Sequence, residues 1–273
     1  MNYRHAFHAG NFADLVKHAA LLQLLAEAQN DPAPLAVLDT HAGGGLYDLT
    51  GAEAQRSGEA EAGVGRLIAA QDAPAEFGPL LTAVKRLNRG GGLQRYPGSP
   101  WLVAESLRPQ DSYTGWELRP AEHAALARSL QGRAGVQVQC ADGFAGVLDR
   151  CPRRGRVLAL IDPPFERGDD YARTVDAVAR MQAKNPAVRI LAWMPLKDLE
   201  TFDAFLRDLE DVVEAPILVG EARMRPLDDP LRMNGCALVL VGASGRLSDG
   251  LERICGWTAE TLGDQGSSRV YTL

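Results

Sequence analysis

The sequence predicts an α/β fold in which an open, mostly parallel sheet is covered by helices on both faces. Residues 157–161 are five consecutive aliphatic residues, and this lack of polar alternation is typical of a strand that is buried on both faces of a parallel sheet. Most of the other apolar runs are separated by helical patterns. Seven strands are predicted in all, near residues 35–38, 113–117, 136–140, 157–161, 188–193, 215–219 and 236–241. No helical pattern separates the last two, so we expect them to pair antiparallel.

Acidic residues follow four of these strands. Asp39, Glu117, Asp142 and Asp162 each stand at the end of an apolar run. The carboxyl ends of parallel strands meet at one edge of an open α/β sheet, where such folds bind their ligands. Glu117 is suited to accept hydrogen bonds from the ribose hydroxyls of an adenosyl cofactor, and Asp142 is suited to meet an adenine amino group.

A glycine-rich turn follows the first strand. Asp39 is followed by Gly43, Gly44 and Gly45, and glycines permit a tight turn and a close backbone approach to a cofactor. A strict G-x-G-x-x-G pattern is absent, and the spacing is more similar to the first motif of class I methyltransferases. Between this turn and Glu117, residues 50–92 carry two helical stretches without a strand, which we interpret as an inserted helical subdomain.

An Asp-Pro-Pro-Phe motif occupies residues 162–165. An exocyclic amine on a nucleobase is a poor nucleophile and must be held and oriented. Asp162 and the Pro163 carbonyl could accept its two hydrogens, and Phe165 could stack on the base. Prolines fix φ and would hold the acceptors rigidly. The alternative is an ordinary strand exit with an Asx-type turn.

Residues 1–19, the N-terminal segment, are rich in basic and aromatic side chains and in histidine. Asn11 is predicted to cap a helix from Phe12 to about Ala28. Cations and rings suit phosphate contact and base stacking, so this segment is a candidate nucleic-acid contact. The alternative is a frayed terminus whose histidines are merely polar. Farther along, Ser99 is predicted to be the N-cap of a helix with Pro100 at its first position.

Composition limits the classes of function. The chain has 273 residues, and 29 Lys and Arg against 35 Asp and Glu give a formal net charge of −6, so any nucleic acid must bind a local basic patch. The four cysteines include no C-x-x-C pair, which indicates reduced thiols and neither a zinc site nor a disulfide framework. We expect no metal, no membrane span and a cytoplasmic location.

Four blocks together resemble the RlmJ family of 23S rRNA adenine-N6 methyltransferases. They are Tyr3-Arg4-His5-x-Phe7-His8-Ala9-Gly10-Asn11-x-Ala13-Asp14-x-x-Lys17-His18, Leu38-Asp39-Thr40-His41-Ala42-Gly43, Tyr96-Pro97-Gly98-Ser99-Pro100 and Asp162-Pro163-Pro164. The resemblance spans nearly the whole chain. It implies a monomeric class I (Rossmann-like) methyltransferase, a single domain over residues 1–273 with the insert at 50–92, which uses S-adenosylmethionine to form N6-methyladenosine in 23S rRNA.

The resemblance also implies roles for individual residues. Cofactor contacts carry over to His18, His41, Ser99, Glu117, Asp142, Gly143 and Asp162. Asp162 is also the expected catalytic acceptor of the target amino group. Tyr3, His5, Lys17 and Phe165 are the expected substrate contacts. Phe165 is a departure, because tyrosine is common there in the family, and Gly44 replaces a usual alanine.

Other classes of protein remain open at this point. A nicotinamide-dependent oxidoreductase would have the same fold. That function would not explain the Asp-Pro-Pro-Phe motif or the N-terminal segment. A non-catalytic RNA-binding module would not need acids at four strand ends. A DNA adenine methyltransferase is the nearest enzymatic alternative, and the chemistry of the residues does not separate it from an RNA enzyme.

Overall fold

A single eight-stranded sheet forms the centre of the protein in the computed structural model, which describes residues 5–229, 232–243 and 245–273. The second and third strands form a separate, antiparallel two-stranded sheet. The strands are β1 Leu35–Asp39, β2 Leu46–Asp48, β3 Arg95–Pro97, β4 Ser112–Trp116, β5 Val136–Gln139, β6 Arg156–Ile161, β7 Arg189–Leu196, β8 Ile217–Arg223, β9 Gly235–Val241 and β10 Ser267–Thr272.

Helices connect most of these strands. They are α1 His5–His8, α2 Phe12–Gln29, α3 Ala52–Ser57, α4 Arg66–Ala69, α5 Gly78–Leu87, α6 Ser99–Ser106, α7 Pro120–Ser129, α8 Gly143–Arg150, α9 Asp170–Lys184, α10 Leu199–Glu210 and α11 Ser248–Leu262. A π-helical turn spans Glu61–Gly65, and 3₁₀ turns span Ala75–Phe77 and Gly245–Leu247.

The order of the sheet is β10-β8-β9-β7-β6-β1-β4-β5. The strands β5, β4, β1, β6 and β7 run parallel, and β9 lies antiparallel between β7 and β8. The predicted antiparallel pairing of the two late apolar strands is therefore confirmed. For the central sheet the predicted count of seven strands is one too low, because β10 adds to the edge beside β8, and the short strands β2 and β3 were not predicted. The polar sequence of β10, Ser-Ser-Arg-Val-Tyr-Thr, lacks the apolar run that marked the predicted strands.

The buried run of β6 behaves as its sequence predicts. Leu158 and Leu160 belong to the core on one face of the sheet, whereas Val157, Ala159 and Ile161 belong to the core on the other face. All five side chains are at most 1% exposed. Helices cover both faces, which explains why polar residues are excluded from this strand.

The centre of the sheet also fixes the place of the ligand site. Strand β1 pairs with β4 on one side and with β6 on the other, so the chain reverses its direction of sheet growth between β1 and β6. Such a reversal opens a crevice at the carboxyl ends of the strands. Asp39 lies opposite Leu160 in the β1–β6 register, and Asp162 follows one residue after the end of β6.

Residues 50–92 contain helices and turns, with the first predicted stretch broken into α3, the π turn and α4. The segment contacts the main body through α2 and α11. Phe77 packs against Trp257 with ring centroids 5.2 Å apart, and Arg253 donates to Glu76 over 2.7 Å. The division into one domain with an inserted subdomain stays a prediction.

Candidate active site

Two adjoining cavities lie at the carboxyl edge of the sheet. The Asp162 cavity is lined by residues that include Lys17, His18, Ser99, Asp162, Phe165 and Trp193. The Glu117 cavity is lined by residues that include Glu117, Leu118, Asp142, Gly143, Arg167 and Arg173. His41 and Pro164 line both cavities. The structure thus brings predicted residues from six separate segments to one edge of the sheet.

Asp162 is paired with a buried lysine. Its Oδ2 lies 2.7 Å from Lys17 Nζ, which also lies 3.0 Å from Asp14 Oδ1. Asp162 Oδ1 has no hydrogen-bond partner within the described part of the chain. Burial raises the pKa of Asp162, and the ammonium of Lys17 opposes this rise. Because one carboxylate oxygen is held by Lys17, the other oxygen remains an acceptor for a ligand in the cavity.

Helix α2 brings Asp14, Lys17 and His18 into the site. Asn11 begins this helix, since its side chain accepts from the backbone amides of Ala13 and Asp14 at 3.0 and 3.1 Å, as the sequence predicts. Residues three and four apart lie on one face of a helix, so the 14, 17 and 18 spacing places all three side chains together. The sequence reasoning missed Asp14 as a site residue, although this spacing is visible in the sequence.

His18 is buried and neutral in this site. Its Nδ1 lies 2.9 Å from the Tyr96 hydroxyl, and the two rings are stacked with centroids 5.5 Å apart. Burial lowers the pKa of His18 to about 3, although Asp14 opposes this. His18 therefore offers a neutral ring, and not a cation, to a ligand at physiological pH.

Ser99 does not cap α6 with its side chain. It is the first residue of the helix, Gly98 stands at the cap position, and the Ser99 hydroxyl donates to Asp39 Oδ2 at 3.1 Å. The predicted N-cap role was therefore wrong. Tyr113 donates to the same Asp39 oxygen at 3.1 Å. Burial raises the pKa of Asp39 to about 7, despite these two hydrogen bonds.

Glu117 is oriented by backbone amides. Its Oε2 accepts from Gly43 N at 3.1 Å, and its Oε1 accepts from Arg119 N at 2.8 Å. The glycine-rich turn and the end of β4 are thus tied together at the carboxylate. Each oxygen retains a second lone pair, so Glu117 can still accept hydrogen bonds from a ribose placed in the Glu117 cavity.

Asp142 makes more hydrogen bonds within the protein than the sequence suggests. Its Oδ1 caps α8 by accepting from Phe144 N and Ala145 N, and its Oδ2 lies 2.6 Å from an Arg173 nitrogen. The guanidinium of Arg173 also lies 4.5 Å from the centroid of the Phe144 ring. These bonds hold the pKa of Asp142 below its usual value, against the effect of burial. Sequence reasoning did not identify Arg173.

Gly143 allows α8 to approach the end of β1. A Cβ atom at this position would overlap the Thr40 carbonyl oxygen, so only glycine fits. Gly143 is also the first residue of α8, and its N–H has no acceptor within the helix. That amide can donate to a ring nitrogen of a bound adenine.

His41 stands between the two cavities as a neutral ring. Burial lowers its pKa to about 4. Its Nδ1 lies 2.8 Å from the Thr40 hydroxyl, which also lies 3.2 Å from Leu160 O. A neutral imidazole carries one donor and one acceptor nitrogen, so Nε2 has the role opposite to that of Nδ1 toward a ligand.

The mouth of the Asp162 cavity is aromatic and apolar. Phe165 packs against Tyr171 and Trp193 with centroids 4.8 and 6.0 Å apart. Its backbone has a φ of 51°, which is rare for a residue other than glycine. Pro195 and Met233 also line this cavity, and the exposed Lys197 stands at it. No local motif in the sequence pointed to Trp193, Pro195, Lys197 or Met233.

Two predicted substrate contacts are not described here. Tyr3 lies outside the described residues, and of His5 only the backbone, in α1, is described. Among the described residues there is no group of three or more side chains arranged to bind a metal. No described helix is long and apolar enough to cross a membrane. All four cysteines are free thiols, and three of them are buried.

The residues present fit an S-adenosyl cofactor. Glu117 offers acceptors for ribose, and Gly143 offers an amide for adenine. His18, Ser99 and Tyr47 are polar groups of the adjoining Asp162 cavity and could hold the amino-acid end. A five-stranded parallel core with an antiparallel strand inserted near one edge completes the pattern. Fold and site together define a class I methyltransferase that depends on S-adenosylmethionine.

Comparisons with known proteins give the family. The family model RsmJ, described as ribosomal RNA large subunit methyltransferase D, RlmJ, matches residues 32–272. A relative named ribosomal RNA large subunit methyltransferase J, from Escherichia coli strain K12, is 33% identical over 99% of this chain and 97% of its own length. A relative of the same name from Haemophilus influenzae is 32% identical over 98% of this chain and 96% of its own length.

A solved structure has the same fold over nearly the whole chain. A crystal structure of a Legionella pneumophila protein is 28% identical and superimposes with a TM-score of 0.87, covering 97% of this chain and 98% of that one. The chain therefore belongs to the family of ribosomal RNA large subunit methyltransferases described as RlmJ.

Proposed function

We propose that this protein transfers a methyl group from S-adenosylmethionine to N6 of one adenine in 23S rRNA. The observation that carries the proposal is the state of Asp162, with Oδ2 bound by Lys17 and Oδ1 left for a ligand beside two prolines and a ring. The relatives named as ribosomal RNA large subunit methyltransferases support rRNA as the substrate. The choice of N6 rests on the Asp-Pro-Pro-aromatic motif and the family resemblance.

The chemistry required of the protein is mainly positioning. The adenine amino group carries two hydrogens and a lone pair that is delocalised into the ring. Asp162 Oδ1 and the Pro163 carbonyl accept the two hydrogens, which orients the nitrogen within the site, and Asp162 is placed to take up the proton that the nitrogen loses as its bond to the methyl group forms. When bound, S-adenosylmethionine supplies a methyl group on a sulfonium centre.

Lys17 keeps Asp162 able to accept. Burial alone raises the pKa of this carboxyl, and a protonated carboxylic acid would lose acceptor capacity toward the amine. The ammonium of Lys17 at 2.7 Å favours the carboxylate. Asp14, whose side chain is 19% exposed, also pairs with Lys17, whereas Lys17 and Asp162 are both buried. Lys17 thus acts through Asp162, and not as a free cation toward RNA.

The base itself needs an apolar wall. An adenine that reacts at N6 has to leave its stack, and such bases are held between aromatic or apolar side chains. Phe165 and Trp193 form this wall, and neither uses a hydroxyl. The tyrosine hydroxyl that is common at position 165 in the family is therefore not required for the reaction here.

Further parts of the proposal concern binding and assembly. We propose that Tyr3 and His5 contact the substrate, that the enzyme acts as a monomer in the cytoplasm, and that its RNA is protein-free or at an early assembly stage. Because the net charge of −6 disfavours bulk attraction, RNA binding should depend on a few cations near the cavity. Lys197 is the candidate at the cavity itself, and it makes no ion pair within the described part of the chain.

Labelled-methyl transfer tests the proposal directly. Wild-type protein is incubated with labelled S-adenosylmethionine and, in parallel, with protein-free 23S rRNA fragments, intact large subunits and adenine-containing duplex DNA. Nuclease digestion and mass spectrometry should detect N6-methyladenosine in the rRNA arm. Label in DNA alone would favour a DNA adenine methyltransferase, and label on another base would overturn the assignment of N6.

A further inference from the structure

A carboxylate of the insert reaches back to the N-terminal segment. Glu59 lies just before the π turn at Glu61–Gly65. Its oxygens lie 2.9 and 3.0 Å from His8 Nδ1, and its Oε2 accepts from Asn11 Nδ2 at 2.9 Å. One insert side chain therefore bridges two residues that are 48 and 51 positions away.

The backbones interlock at the same place. Val64 N donates to Gly10 O at 2.8 Å. A Cβ atom on Gly63 would overlap the Gly10 carbonyl oxygen, and one on Gly10, which has a φ of +80°, would lie 2.8 Å from Val64 Cγ1. Both glycines are thus required for the approach. The π turn, a rare element that is often found at functional sites, faces residues 8–11, and we name this stretch the 8–11 turn.

The 8–11 turn is part of the Asp162 cavity. His8 and Asn11 both line that cavity. Asn11 uses its Oδ1 to cap α2, and Gly10 N donates to Asp14 Oδ2 at 3.0 Å. Glu59 therefore binds Nδ2 of Asn11, whose Oδ1 caps the start of α2. The contacts continue through Asp14 to Lys17 and from there to Asp162.

We propose that Glu59 is a positioning residue for methyl transfer to RNA, acting through His8 and Asn11. It fixes the 8–11 turn against the Asp162 cavity. The turn then forms the side of the cavity past which the target nucleotide enters. The inserted segment then helps to shape the active site, through its contacts with His8 and Asn11. This inference rests on the proposed function, because the readout is methyl transfer.

The surroundings of His8 favour its charged form. The hydrogen bond that the His8 ring donates to the Glu59 carboxylate raises the pKa of His8, burial opposes this, and the charge of Asp14 adds to the rise. Among the residues that the structure describes, Glu59 and Asp14 are the carboxylates that favour the charged form of the ring. A charge-assisted hydrogen bond of this kind is about twice as strong as a neutral one.

Substitution of Glu59 with a matched control tests the inference. Glu59→Ala removes both contacts, and Glu59→Gln keeps an acceptor without the charge. Glu61→Ala is the control, because Glu61 is exposed two residues farther along and its side chain makes no hydrogen bond or ion pair within the described part of the chain. We expect Glu59→Ala to lower kcat/KM for RNA by about tenfold or more, Glu59→Gln to recover part of that loss, and Glu61→Ala to match the wild type.

Two further measurements separate positioning from folding. Calorimetry with S-adenosylmethionine should give a dissociation constant within about twofold of wild type for every variant, and the thermal midpoints should show that all are folded. If Glu59 acts through His8, the double variant His8→Ala/Glu59→Ala should be no worse than the more impaired single variant.

Several outcomes would overturn the inference. A folded Glu59→Ala enzyme with wild-type kcat/KM for RNA would do so, as would fully additive losses in the double variant. A loss of kcat/KM that Glu61→Ala shares would also count against it. These outcomes differ from a failure of the proposed function. In that case the wild-type protein itself would transfer no methyl group to 23S rRNA.

Discussion

Lys17 Nζ lies 2.7 Å from Asp162 Oδ2, although 145 positions separate the two residues in the chain. The pair joins the N-terminal helix α2 to the end of β6, and both side chains are at least nine-tenths buried. A buried cation between Asp14 and Asp162 makes the protonation of the acceptor carboxylate depend on Lys17.

Replacing Lys17 should change how activity depends on pH. In Lys17→Met the pKa of Asp162 is raised by burial with no cation to oppose it. The carboxylate form is then populated only at higher pH, so the acidic limb of kcat/KM should move upward by about one pH unit or more. Lys17→Arg keeps the charge and should move it less. An unchanged acidic limb in a folded Lys17→Met enzyme would show that the pair does not control Asp162.

Asp39 should make the fold less stable as the pH rises toward neutrality. Its pKa is raised to about 7 from a usual 3.8, so between these values the folded state holds a proton that the unfolded state has lost. Its stabilising contribution is complete below about pH 4 and is lost toward pH 7. Asp39→Asn removes this term. The unfolding free energy of Asp39→Asn relative to wild type should therefore increase with pH, by at most about 1.4 kcal/mol per unit, in urea denaturation between pH 4 and 7.

His18 should have the opposite effect on stability. Its pKa is lowered to about 3 from 6.5, so on acidification the unfolded state takes up the proton first. The contribution of His18 is complete above pH 6.5 and falls as the pH drops toward 3. Between pH 7 and 5, wild type should lose up to about 2 kcal/mol more unfolding free energy than His18→Gln. Parallel pH curves for the two proteins would mean that His18 is not buried as a neutral ring.

Gly143 should be required for cofactor binding. A Cβ atom there would overlap the Thr40 carbonyl oxygen, whereas one on Gly168 would meet nothing within 4 Å. Gly143→Ala should displace the start of α8 and weaken S-adenosylmethionine binding by about tenfold or more in calorimetry, about 1.4 kcal/mol. Gly168→Ala is the matched control and should bind as wild type does. Equal affinities for both variants would contradict the assigned place of the adenine.

Much of this architecture could be predicted from local patterns. The aliphatic run of β6, the Asn11 cap of α2 and the acids at the strand ends follow from burial, capping and sheet geometry. The β10 strand escaped because it is a polar edge strand whose place depends on pairing with β8. Edge strands carry little apolar signal.

The sequence predicted which residues belong to the site better than it predicted which of them contact each other. Asp162 and Glu117 stood out as strand-end acids, but the pairing of Lys17 with Asp162 joins distant segments and leaves no local pattern. Ser99 illustrates the same limit, because a Ser-Pro pair at a helix start predicts a cap, whereas the tertiary contact with Asp39 determines the hydroxyl's partner. Trp193 lies in an apolar run that predicts a buried strand, and only the structure shows that it lines the Asp162 cavity.

Asp162→Asn tests the central claim most directly. Asparagine keeps the shape of the side chain, but it replaces one acceptor oxygen with a donor and removes the charge that binds Lys17. The variant should retain its fold by circular dichroism and bind S-adenosylmethionine, while methyl transfer to 23S rRNA fragments falls by about a thousandfold or more. Near wild-type formation of N6-methyladenosine by folded Asp162→Asn would contradict the account.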